Sequence, residues 1–79
     1  MIRVDAKLHA ALRRYLPPDA EGVTVSVELP DAATVADLVK ALGIPEGYAK
    51  LVVDGTEQLA FTAPLKDGQS LQLFPPLAG

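Results

Sequence analysis

Phe74-Pro75-Pro76-Leu77-Ala78-Gly79 ends the chain on a small residue and a glycine behind two prolines. The reactive group that such a segment offers is the carboxylate of Gly79. Proline holds φ near the extended polyproline geometry, so Pro75 and Pro76 are expected to point the tail away from the strand before them. Ala78 and Gly79 are narrow enough to thread a channel. A glycine at the end leaves the approach to its carbonyl unobstructed by a Cβ. Phe74 and Leu77 are the apolar side chains placed to fill a partner's pocket, although Phe74, directly after Leu73, could equally be core. From Leu77 onward the tail is expected to be mobile, because ordering it costs entropy and little in it is apolar. A plainer reading stands beside the reactive one: Pro-Pro can simply terminate a strand, and many chains end in glycine.

Conventional sites are nearly absent. The chain has no cysteine, which excludes a thiolate nucleophile, a disulfide and a thiolate metal site. Its one histidine, His9, follows the polar phase of a strand and reads as solvated. A zinc site needs three or four N, S or O donors, so no metal site is expected. Ser26 and Ser70 have no histidine in register for a triad. Asp5, Glu28, Asp54 and Glu57 fall on polar strand phases or turns, where solvation explains them. Tyr15 and Tyr48 read as core or rim packing. Gly43, Gly47, Gly55 and Gly68 are isolated, so no phosphate-cradling loop is present.

The whole-chain quantities narrow the classes further. Seventy-nine residues allow one domain, and a chain this short buries only roughly 60% of its unfolded surface. With 49% apolar residues it can still build one core. The net charge of −3 and the scatter of the seven basic residues argue against nucleic acid. No apolar run approaches the roughly 20 residues that span a membrane. Met1-Ile2-Arg3-Val4-Asp5 lacks the plan of a signal peptide, and a cytoplasmic location is expected.

The elements that must carry the tail follow from periodicity. Ile2, Val4, Ala6 and Leu8 alternate with Arg3, Asp5 and Lys7, which predicts a half-buried strand over 2–8. A short helical turn is expected over 9–16, ended by Pro17-Pro18. Val23, Val25, Val27 and Leu29 make one face of a second strand, antiparallel to the first. Val35, Leu38, Val39 and Leu42 follow the i, i+3, i+4, i+7 pattern of a helix with one apolar stripe. Thr34 and Asp37 resemble a capping box at its start, and Gly43 suits the C′ position. Leu51-Val52-Val53 predicts a buried strand, Asp54-Gly55 a hairpin turn, residues 57–62 a weaker edge strand and Asp67-Gly68 a second turn. Ser70 to Phe74 is the last strand. This order predicts an α+β fold of β-grasp, or ubiquitin-like, architecture: a mixed five-stranded sheet with one main helix packed on one face. The last strand should lie parallel to the first in the middle of the sheet, with Ile2, Val4, Leu71 and Leu73 central in the core. The domain is expected over 1–74 and the extended tail over 75–79.

The segment Pro64-Leu65-Lys66-Asp67-Gly68-Gln69-Ser70-Leu71-Gln72-Leu73-Phe74-Pro75-Pro76-Leu77-Ala78-Gly79 resembles the end of the small subunit of molybdopterin synthase, one of the ubiquitin-like sulfur carriers. The resemblance spans the chain in length and element order and is sharp in this final segment. Its Phe-Pro-Pro-apolar-small-Gly ending is nearer the molybdopterin branch than the thiamine branch. The family ends in Gly-Gly. Aligned on Phe74-Pro75-Pro76, Gly79 falls on the first of those glycines; aligned from the end, Ala78 replaces one. The resemblance implies that Gly79 is adenylated by an E1-like activating enzyme that uses ATP and then becomes a thiocarboxylate. Phe74, Pro75, Pro76, Leu77 and Ala78 would be the partner-binding residues, inserted into the large catalytic subunit of molybdopterin synthase. It also implies a chain that is no enzyme alone and binds no cofactor of its own. Three alternatives stay open: a ubiquitin-like modifier joined to lysines, a thiamine-type sulfur carrier, and a β-grasp binding module with an inert tail.

Overall fold

The first strand, β1 (Ile2–Leu8), alternates buried and outward side chains along its length in the computed structural model, which describes residues 1–18, 20–45 and 47–76. Its apolar phase, Ile2, Val4, Ala6 and Leu8, is buried as period two requires. β2 (Thr24–Leu29) pairs with it antiparallel, Ile2 opposite Leu29 and Lys7 opposite Thr24. β5 (Ser70–Phe74) pairs with β1 on the other side, in parallel, with Leu8 opposite Leu73. β3 (Leu51–Asp54) runs antiparallel to β5, and β4 (Glu57–Leu59) is the edge beyond it. The described residues therefore form a mixed sheet in the order β2-β1-β5-β3-β4. This is the expected β-grasp order. Leu71 and Leu73, from the strand that leads to the tail, are 1% and 0% exposed.

One α-helix among the described residues, α1 (Val35–Ala41), lies on the sheet through buried Val35, Leu38 and Val39. Leu42, the fourth member of the stripe, is half-buried. Local chemistry sets both helix ends. The Thr34 hydroxyl accepts from the Asp37 amide, and the Asp37 carboxylate accepts from the Thr34 amide at 2.9 Å, a complete capping box. At the other end Gly43 takes φ +78°. Its amide donates to the Lys40 carbonyl, and the Ile44 amide donates to the Val39 carbonyl. That pair of bonds is a Schellman motif, and glycine supplies the left-handed residue it needs.

Three expectations are corrected. The edge strand stops at Leu59 rather than at residue 62, because the next residues are drawn to the helix. The Phe61 and Ala63 carbonyls accept from the Ala36 and Val35 amides at 2.9 and 3.0 Å. They satisfy orphan donors at the helix start that would otherwise need water. Second, Leu51-Val52-Val53 is not buried throughout. Val52 is buried, whereas Leu51 and Val53, on the opposite phase of the strand, point away from the core and are half-buried. Third, the second strand begins at Thr24 instead of Val23, after a tight pairing of Glu21 with Thr24. The core also takes side chains from connections, notably Leu12, Ile44, Ala49 and Leu65.

Candidate functional site

The root of the C-terminal tail is the site that the sheet builds. β5 is paired along both edges, so its end is held by the centre of the molecule rather than by an edge. The final carbonyls of the strand are occupied too. His9 donates its amide to the Leu73 carbonyl at 3.1 Å, and Lys50 donates to the Phe74 carbonyl at 2.9 Å. The ladder stops there because Pro75 has no N–H to continue it.

Strand alternation sends Leu73 into the core and Phe74 to the opposite face, where Phe74 is half-buried. The core reading of Phe74 is therefore overturned. Its ring stacks on His9, with centroids 4.4 Å apart and planes 5° from parallel. His9 Nε2 lies 3.0 Å from Gln72 Oε1; Gln72 is the previous outward residue of the same strand. His9 is thus not a solvated histidine. It clamps two successive outward side chains of β5 with its ring and the strand's backbone with its amide. Periodicity hid this role, but register could have found it: with Leu8 beside Leu73, the next pair along is His9 and Phe74.

Directly after His9 the chain turns through Ala10 at φ 53°, a left-handed conformation that costs an alanine energy. That turn starts a 3₁₀ helix, Ala10–Tyr15. Pro75 is half-buried and Pro76 exposed. Both line a cavity of about 250 Å³ with Leu12 and Tyr15 of the 3₁₀ helix and with Tyr48 from the loop before β3. Tyr48 is 51% exposed, on the rim of this cavity. Arg14 brings the cavity a cation. Leu77, Ala78 and Gly79, the tail residues expected to enter a partner and carry the chemistry, lie outside the described residues.

The other candidate side chains do not converge. Ser26 donates to Asp5 at 2.6 Å, Gln69 donates to Asp54 at 2.8 Å, and Glu28 faces Arg3 at 3.9 Å. These are sheet-surface and turn contacts. Among the described residues no group of three or more His, Asp or Glu side chains is arranged to hold a metal ion. No helix among them is long and apolar enough to cross a membrane.

A central strand parallel to the first, one helix over the sheet and a proline-led tail define a ubiquitin-like β-grasp protein. The chain belongs to the Mut7-C ubiquitin family, whose model matches residues 1–78. The chain is similar to small archaeal modifier protein 1 of Haloferax volcanii, at 26% identity and a TM-score of 0.73, over 98% of this chain and 100% of that one. It is also similar to a Pyrococcus furiosus protein named as molybdopterin converting factor, subunit 1, at 25% identity and a TM-score of 0.72, again over 98% and 100%. A further Haloferax volcanii protein, at 21% identity and a TM-score of 0.76, over 99% of this chain and 86% of that one, shares the fold. No curated protein matches the chain. These likenesses make it a ubiquitin-like protein of the sulfur-carrier or modifier class.

Proposed function

We propose that this protein is a sulfur carrier whose Gly79 carboxylate is adenylated and converted to a thiocarboxylate, which donates sulfur in molybdopterin biosynthesis. The observation that carries the reading is the tail root: a strand paired on both edges, clamped by His9 and Lys50, that runs straight into Pro75 and Pro76. Such a mount fixes where the tail begins, so Phe74, Pro75 and Pro76 have little chain freedom to lose on binding. The likeness to a protein named as molybdopterin converting factor, subunit 1, supports the molybdopterin branch.

The chemistry divides between chain and partners. In the first step a Gly79 carboxylate oxygen attacks the α-phosphorus of ATP on an E1-like adenylating enzyme, and pyrophosphate leaves. In the second, sulfide attacks the carbonyl of the acyl-adenylate. AMP leaves with the bonding pair, and the thiocarboxylate remains after loss of a proton. The tail, with Phe74, Pro75, Pro76, Leu77 and Ala78 as its contacts, then enters a large catalytic subunit of the molybdopterin synthase type. ATP belongs to the activating partner.

A second reading, protein modifier, is favoured by the likeness to small archaeal modifier protein 1. It shares the adenylation and differs in the acceptor, a lysine amine in place of sulfide. Pyrophosphate exchange into ATP by the cognate activating enzyme tests the common step. Exchange is expected with the chain and not after deletion of Gly79. Products then separate the readings: a thiocarboxylate with sulfide supports the carrier, and lysine isopeptides with no thiocarboxylate support the modifier. Absence of exchange both with this chain and with one extended by a glycine would contradict both.

A further inference from the structure

One cleft is lined by none of the described tail residues. It opens between α1 and the loop that leads to β3, with a volume of about 570 Å³. Val39, Ile44 and Ala49 give it an apolar floor, and Phe61, 42% exposed, forms one wall. Gly47 lines both this cleft and the smaller cavity at Pro75 and Pro76. The two therefore adjoin at Gly47, with Phe61 beside the first and Tyr48, Pro75 and Pro76 beside the second, and together they are called the strip below. Beyond Met1, Phe61 and Tyr48 are the exposed large apolar side chains among the described residues, and both stand on this strip.

The charged side chains that line it among the described residues are cations. The chain carries −3 overall, yet Lys40 and Lys50 border the cleft and Arg14 borders the smaller cavity. None of the described carboxylates lines either one. The ion pairs found among the described residues use the Met1 amine and Arg3, which leaves all three strip cations without a carboxylate partner there. An apolar trough with cations along its rim is complementary to apolar side chains interspersed with carboxylates. Two cavities that adjoin at Gly47 suit an extended chain better than a compact small molecule.

We propose that this strip is a docking site for an extended acidic and apolar segment of a partner protein. Phe61 and Tyr48 supply apolar contacts, and Lys40, Lys50 and Arg14 meet the segment's carboxylates. A segment seated there ends beside Pro75 and Pro76, so its owner is held next to the tail. The docking depends on side chains outside the tail and stands whether or not Gly79 is activated.

The test is a displayed library of random peptides selected on the full chain. Enrichment of sequences that combine Asp or Glu with Leu, Ile or Phe is expected. A synthetic copy of an enriched peptide is then titrated by fluorescence anisotropy. Lys40→Glu with Lys50→Glu should weaken it about tenfold or more, as loss of close charge pairs does. The control pair Lys7→Glu with Lys66→Glu, and deletion of Gly79, should leave affinity unchanged. Amide spectra confirm that every variant is folded, and Phe61→Ala gives an uncharged check in which affinity also falls. Selection of no acidic-apolar class overturns the proposal, as does equal binding to the Lys40/Lys50 variant. Displacement of the peptide by free decanoate as effectively as by unlabelled peptide would identify a small-anion site instead and also overturn it.

Discussion

His9 and Phe74 are far apart in sequence and face to face in the fold, and together they set how firmly the tail is rooted. A stacked aromatic pair contributes about 0.5–1.5 kcal/mol beyond its buried area, and a net hydrogen bond about 1 kcal/mol. His9→Ala is therefore expected to lower stability by about 1–2 kcal/mol in urea unfolding. His9→Phe keeps the stack, loses the Gln72 contact and should recover about half of that loss. Equal stability of all three proteins would show that the clamp contributes nothing. Phe74→Ala separates two roles of the same ring. If Phe74 also meets the partner, affinity should fall by more than the matching loss in the His9→Ala variant.

At the scale of elements, both ends of α1 rest on side chains that can be removed singly. Thr34→Ala deletes the hydroxyl half of the capping box and is expected to cost about 1 kcal/mol. Adding Asp37→Ala should cost less than the sum of the two single changes, since both act in one box. Leu73→Ala, at a position 0% exposed between β1 and β3, is expected to cost about 2–5 kcal/mol. Chemical denaturation of the set checks the ranking, and a Leu73→Ala effect below that of Thr34→Ala would contradict the central place given to β5. These elements were legible in the sequence because their signals are local. Thr34, Asp37 and Gly43 mark the helix, and the period-two runs at 2–8 and 70–74 mark the central strands. What stayed hidden is non-local. Ala60–Ala63 leaves the sheet because two of its carbonyls are taken by the helix start, and nothing within 57–62 announces that. His9 reads as solvated until the parallel register sets it over Phe74. Tyr48 and Phe61 gain meaning from the cavities they line, which no spacing in the chain encodes.

At the scale of the whole molecule, the division of labour is between a core and an ending. Among the described residues, the buried apolar cluster runs from Ile2 to Leu73 and includes neither Phe74, Pro75 nor Pro76. Deleting Leu77–Gly79 is accordingly expected to leave stability within about 0.5 kcal/mol, the range of changes made away from packed features. Loss of cooperative unfolding on that deletion would mean that the ending belongs to the fold.

Gly79 carries the proposed chemistry, and intact mass spectrometry reads its conversion without a label. The full chain is incubated with its cognate adenylating enzyme, ATP and sulfide, then weighed whole and as its C-terminal peptide. The expected result is a gain equal to the difference between a sulfur and an oxygen atom. That gain should be confined to the peptide that ends at Gly79 and absent from the chain lacking that residue. An unchanged mass, for this chain and for one extended by a single glycine, with an enzyme that activates another carrier in the same preparation, would contradict the sulfur-carrier account.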